Sequence, residues 1–181
     1  MLQDVNTGVA WVLNNAELYG GDPDSVTLVG QSAGGQLGAL ALLAQAAQAA
    51  HGASGGAALG GSPRWDPARL SGFVGVSSPY NLHALADHLH QRGLYRNLFD
   101  ALMSVDGRPM LRELSPTHAA RALPAGAAAG LPRVLLLQGT RDQSVPMDIA
   151  IEFLASLKVG VPTAVLHGTA GLVDDSAWGL I

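Results

Sequence analysis

Apolar residues follow two kinds of pattern along this chain, and their alternation predicts its architecture. Val5, Val9, Val12, Leu13 and Ala16 fall at the three-and-four spacing of one helix face, so residues 2–18 are expected as an amphipathic helix. Gly20-Gly21-Asp22-Pro23 stops it, because glycine accepts the left-handed cap and proline cannot continue the helix. Ser25–Val29 (SVTLV), Phe73–Ser77, Val134–Gln138 (VLLLQ) and Thr163–Leu166 are short apolar runs and read as buried strands. Gly30–Gly35 reads as a tight turn. Helices are predicted over Gly35–Ala50, 82–92, 94–103 and Pro146–Leu157, the last opening on a proline that is harmless in a first turn. The Gly/Ala/Ser stretch His51–Pro63 has no periodicity and is expected as a flexible surface loop. A Pro- and Ala-rich connector is expected between the second short helix and residue 125.

Strands alternating with helices predict an α/β fold with a mostly parallel sheet flanked by helices. The chain is expected to be one domain over 1–181, with an insertion at 80–125 and a tail, 168–181, of no clear pattern. The first strand arrives only after a complete helix. That order suggests that strands of the same sheet lie upstream of Met1, and that the domain is incomplete with an exposed sheet edge.

Composition narrows the chemistry. At 181 residues, 48% hydrophobic and 13% charged, the chain has the makings of one folded domain. A formal net charge of -4 and the lack of any Lys/Arg run argue against a nucleic-acid partner. With no cysteine there can be no disulfide, thiolate metal ligand or Cys nucleophile. The opening residues do not form a signal peptide and no apolar run reaches the ~20 residues of a membrane span, so the chain as given reads as soluble. His88 and His90 flank Leu89 and point to different helix faces, which supports no metal site. No cofactor is expected, since the glycine-rich turn matches neither dinucleotide nor phosphate-loop spacing.

That turn carries the strongest chemical signal. Gly30-Gln31-Ser32-Ala33-Gly34 fits G-x-S-x-G between a predicted strand and a predicted helix. Such a turn holds a serine hydroxyl exposed on a strained backbone, and its glycines remove side chains that would collide as strand and helix fold back. Ser32 is the candidate nucleophile, and the Ala33 N–H faces the place where an oxyanion would develop. A serine nucleophile needs a base, and the base needs a carboxylate to orient it. Asp142 follows the VLLLQ strand, at the strand end where sites in such sheets gather; it serves equally well as a cap for the next helix. His167 is the one histidine after Asp142, and it is both the candidate base and an ordinary strand-end histidine.

The stretch from Asp4-Val5 through Trp11, Asn15 and Tyr19-Gly20-Gly21-Asp22-Pro23 to the Ser32 turn resembles the carboxylesterase/lipase branch of the α/β-hydrolases. Pro79-Tyr80-Asn81-Leu82, Asp87-His88, His90 and Arg92-Gly93-Leu94-Tyr95-Arg96 are similar to the plant and algal isoprenylcysteine α-carbonyl methylesterases, and Ser115-Pro116, Gly139–Asp142 and Val145-Pro146 continue the match. The resemblance implies hydrolysis of the methyl ester on a C-terminal prenylcysteine, on a small molecule or a prenylated protein. It places Ser32, Asp142 and a histidine in the triad, residues 80–103 in a cap over the cleft, and the family in endomembranes. Leu82, Leu85, Leu89, Leu94, Leu98 and Phe99 are then prenyl walls, or else core residues at helical spacing. The family's His-Gly-Gly-Gly-type oxyanion loop and closing Gly-x-x-His segment have no counterpart here, and the likeness stops near residue 167. The competing readings are therefore a non-catalytic fragment or pseudoenzyme, and a broad-specificity esterase or peptidase of the same fold.

Overall fold

The computed structural model describes residues 1–51, 61–158, 164–169 and 178–180. Its elements run α1 (Leu2–Asn15), β1 (Val26–Gln31), α2 (Ala33–His51), β2 (Leu70–Val76), α3 (Leu82–Gln91), α4 (Arg96–Leu102), β3 (Ser104–Val105), β4 (Arg108–Pro109), α5 (Pro116–Arg121), β5 (Arg133–Gly139), α6 (Met147–Lys158), β6 (Val165–Thr169) and β7 (Trp178–Leu180). The main sheet has the order β1-β2-β5-β6-β7. Its first four strands are parallel, and β7 pairs antiparallel with β6.

The sheet is mostly parallel and flanked by helices, as the alternation predicts. Among the described residues those helices gather on one face. α2 packs on β1 and β2, α6 packs on β5 and β6, α5 bridges the two, and α1 lies against α2. Phe73, Val134, Leu136 and Leu166 point into this layer and are almost wholly buried. Alternate residues face the other way, where Val29 of β1 is 63% and Leu135 of β5 37% exposed. α2 has no polar stripe: Ala39 to Leu43 are all buried, as expected of a helix enclosed by α1, α5 and the sheet. Even its polar Gln45 is satisfied internally, donating to Asn6 Oδ1 at 2.8 Å, an oxygen that also accepts from Trp65 Nε1 at 3.0 Å.

Several elements depart from the pattern-based expectation. The sheet has five strands rather than four, because β7 forms within the tail. The connector before residue 125 holds the β3–β4 hairpin, turned by Asp106-Gly107 with φ of 50° and 75°, and then α5, opened by Ser115-Pro116. Asp-Gly and Ser-Pro are both local signals for these elements, in a stretch without hydrophobic periodicity. β1 continues to Gln31 and α2 starts at Ala33, so the turn between them is tighter than Gly30–Gly35. β6 begins and ends later than the predicted Thr163–Leu166 strand, which puts His167 in mid-strand. The loop expected over His51–Pro63 falls mostly on residues 52–60, outside the described residues.

Residues 80–125 are rooted in the main core. Tyr80 stacks on Phe153 of α6 with ring centroids 4.3 Å apart, and burial pushes its phenol up to about 12. Leu82, Leu85 and Phe99 are buried in the continuous core, so the core reading holds for these three. Leu89 and Leu94 pack on its margin, while Leu98 is 49% exposed.

Candidate active site

Ser32 occupies the single residue between β1 and α2, at φ 51°. For a residue with a Cβ this left-handed backbone costs roughly 1–2 kcal/mol, so the surroundings must impose it. They do so with hydrogen bonds on both sides. The Ser32 N–H donates to Val76 O of β2 at 2.9 Å, and Ser32 O accepts from the N–H groups of Gly35 and Gln36 at 3.1 and 3.2 Å. The approach of strand to helix is close enough to exclude side chains at two positions. A Cβ on Gly30 would stand 2.6 Å from the Gly34 carbonyl and the Gly35 nitrogen, and one on Gly35 would stand 2.0 Å from Ser78 Oγ. Gly34, the closing glycine of the motif, has open space at its Cβ position, so the tight contact falls one residue later. Ser32 is exposed at the head of α2. The N–H groups of Ala33 and Gly34 open that helix, where no carbonyl of the preceding turn exists to take them and the helix dipole favours negative charge.

Asp142 lies beyond the carboxyl end of β5, its N–H donating to Gly139 O at 3.1 Å. Its Oδ1 accepts from the N–H groups of Ser144 at 2.8 Å and Val145 at 3.0 Å, a side-chain-closed turn that ends before α6 begins at Met147. Its Oδ2 accepts from Gln138 Nε2 at 3.1 Å. Burial alone would raise its pKa. The Val145 and Ser144 N–H groups, the Ser77 hydroxyl and the Gln138 amide outweigh that and hold the carboxyl below its ordinary value. The acid loop also touches α3, with His88 Nε2 2.7 Å from Gln143 O and Arg92 Nη1 donating to Gln143 Oε1 at 3.1 Å.

His167 sits in β6 in register with Leu137 of β5 and Leu180 of β7. Leu137 is in turn level with Val76, and Val76 with Gln31. Gln31 and His167 therefore end one row across the sheet, separated by three strand spacings, about 14 Å in all. The structure thus brings Ser32 and Asp142 to the same edge of the sheet and sets His167 one row short of it. Gln138 and Ser77 were not singled out by sequence. A glutamine closing an otherwise apolar strand is a signal for the first, and nothing local distinguishes the second. Among the described residues, no group of three His, Asp or Glu side chains is arranged to hold a metal, and no helix is long and apolar enough to cross a membrane.

A parallel sheet with a strained serine between strand and helix, and a carboxylate after a later strand, defines the scaffold of the α/β-hydrolase esterases. Solved structures agree on the fold. Esterase B from Lactobacillus rhamnosis superposes with a TM-score of 0.70 over 92% of this chain and 48% of that one, at 20% identity. Carboxyl esterase 2 from Tuber melanosporum gives 0.60 over 90% and 48%, also at 20%. The protein-family profile described as BD-FAE matches residues 1–157, and the chain belongs to that family. Among curated proteins it is 38% identical over 159 residues to a probable isoprenylcysteine alpha-carbonyl methylesterase of Oryza sativa subsp. japonica, covering 87% of this chain and 35% of that protein. It is 36% identical to the isoprenylcysteine alpha-carbonyl methylesterase of Arabidopsis thaliana, with the same coverage. The resemblance drawn from the sequence is thus to the right relatives, and the chain spans about a third of their length.

Proposed function

We propose that this chain carries the nucleophile and acid of a serine carboxylic-ester hydrolase, with prenylcysteine methyl esters as substrate. The observation that carries the reading is Ser32 itself, held left-handed and exposed where β1 turns into α2. In this reading Ser32 Oγ attacks the ester carbonyl and gives its proton to a base. The oxyanion accepts a hydrogen bond from the Ala33 N–H, methanol leaves, and water releases the free carboxylate from the acyl-enzyme. Asp142 orients the base, and His167 is the base that its place after Asp142 in the sequence nominates. The substrate class is supported by the names of the plant relatives.

A second reading, a folded but non-catalytic relative, is favoured by one observation: His167 is paired on both sides within β6, in register with Leu137 and Leu180. The purified chain incubated with a farnesylcysteine methyl ester, beside Ser32→Ala and His167→Ala, decides between them. Methanol release lost in both variants supports the triad. Release lost only in Ser32→Ala assigns the base elsewhere, and none from a folded wild-type sample selects the non-catalytic reading.

A further inference from the structure

We propose that Gln138 is a positioning residue for the reaction at Ser32: its side-chain amide, rooted in the sheet, fixes the Asp142 carboxylate and the loop that carries it. The proposal rests on the esterase reading above. Gln138 lies near the end of β5 on the core side of the strand, in the row of Val134 and Leu136, and is 1% exposed. Apolar side chains fill the rest of that row, so a buried amide there needs partners. Its Nε2 donates to Asp142 Oδ2 at 3.1 Å and to Val145 O at 2.8 Å, which uses both of its hydrogens. Those partners also fix the orientation of the amide. An ionised carboxylate and a carbonyl only accept, so the amide oxygen cannot take the nitrogen's place.

Gln138, Asp142 and Val145 form a closed ring of hydrogen bonds. The Val145 N–H donates to Asp142 Oδ1 at 3.0 Å, Val145 O accepts from Gln138, and Gln138 returns to Asp142 Oδ2. The acid is thereby held at both oxygens, once from its own loop and once from β5. That strand lies between β2 and β6, and Gln138 itself is in register with Gly168 of β6. A carboxylate held in this way keeps one rotamer, which a group that must orient a base requires. The amide is kept at a cost. Gln138 Oε1 is buried without a hydrogen-bond partner among the described residues, whereas an apolar side chain of similar length would fill the space and orphan no acceptor of its own. Packing alone is better served by such a side chain, so the retained amide points to a use for its N–H groups.

The test separates holding the acid from holding the loop. In the full chain, Gln138→Met keeps the length of the side chain without a donor, and Gln138→Glu keeps its shape but donates only while protonated. Four quantities are compared with wild type: the rate constant for fluorophosphonate labelling of Ser32, kcat and KM on a short-chain ester, the thermal midpoint, and the titration of the Asp142 carboxyl by carbon NMR. The carboxyl resonance is assigned with Asp142→Asn. In Gln138→Met, labelling and kcat are expected to fall about tenfold with KM unchanged and cooperative unfolding kept. Asp142 should titrate at higher pH there than in wild type, since one of the donors that outweigh its burial is gone. In Gln138→Glu the labelling deficit relative to wild type is expected to widen as the pH rises, because the introduced carboxyl then loses its proton and repels the acid. A loop role alone moves the thermal midpoint but not that pH profile. Wild-type labelling rates in Gln138→Met, or a Gln138→Glu deficit that stays constant with pH, would overturn the proposal and leave the esterase reading standing. A folded wild type that does not label would overturn the esterase reading and this role with it.

Discussion

The two ends of the candidate site are built by different means. The corner at β1 is made of backbone: Gly30 and Gly35 let strand and helix touch, and main-chain hydrogen bonds from Val76, Gly35 and Gln36 hold Ser32 in a conformation it would not choose. The corner at β5 and β6 is made of side chains. Asp142 is held by Gln138 as well as by two N–H groups, and His167 stands in β6, in register with Leu137 of β5. A backbone device within six residues forms wherever its strand and helix form. A side-chain constellation drawn from two strands depends on the register between them, and one row of the sheet moves a ring by a full residue.

Four substitutions probe that difference. Ser32→Ala has the largest expected effect, a loss of roughly 10⁶ in kcat, with fluorophosphonate labelling abolished and the thermal midpoint hardly changed. Asp142→Asn is expected to cost roughly 10⁴ in kcat, because a neutral amide cannot stabilise a protonated base or set its tautomer. The same variant carries a pH signature. The folded-state pKa of Asp142 is depressed, so its contribution to stability is complete above about pH 4, its unfolded value, and is lost as the pH falls through the folded one. Urea midpoints should therefore fall less on acidification in Asp142→Asn than in wild type, and parallel curves would show that its hydrogen bonds do not select the charged form.

The smaller effects concern the glycines. Gly35→Ala forces a methyl group into Ser78 Oγ and the Gly30 carbonyl, and should lower unfolding free energy by about 2–4 kcal/mol in a denaturant titration. Gly34→Ala, one residue away and inside the motif, meets open space within α2 and should be neutral or stabilising by up to about 1 kcal/mol. Equal losses at the two positions would mean that the turn does not approach as closely as the structure has it.

Much of the molecule is legible in the sequence because it is local. The G-x-S-x-G turn, the buried runs of β1, β2 and β5, and the long helix α2 each follow from contiguous residues whose periodicity matches their element. What escapes has no local trace. Nothing in Phe73–Ser77 says that Ser77 leaves the sheet left-handed, a residue whose N–H is taken by Leu137 O on another strand. The shift of β6 is of the same kind, because its bounds are set by pairing with β5 and β7 rather than by its own apolar run. The hairpin and α5 were legible from Asp106-Gly107 and Ser115-Pro116, signals outweighed by the surrounding alanines and prolines.

The most direct test of the central claim is labelling of the purified chain with a fluorophosphonate probe, read by mass spectrometry of the peptide that contains residues 26–36, with Ser32→Ala in parallel. The account predicts a phosphonylated Ser32 in wild type and no adduct in the variant. A sample with a cooperative unfolding transition and no adduct at Ser32, or equal labelling in the variant, would contradict it.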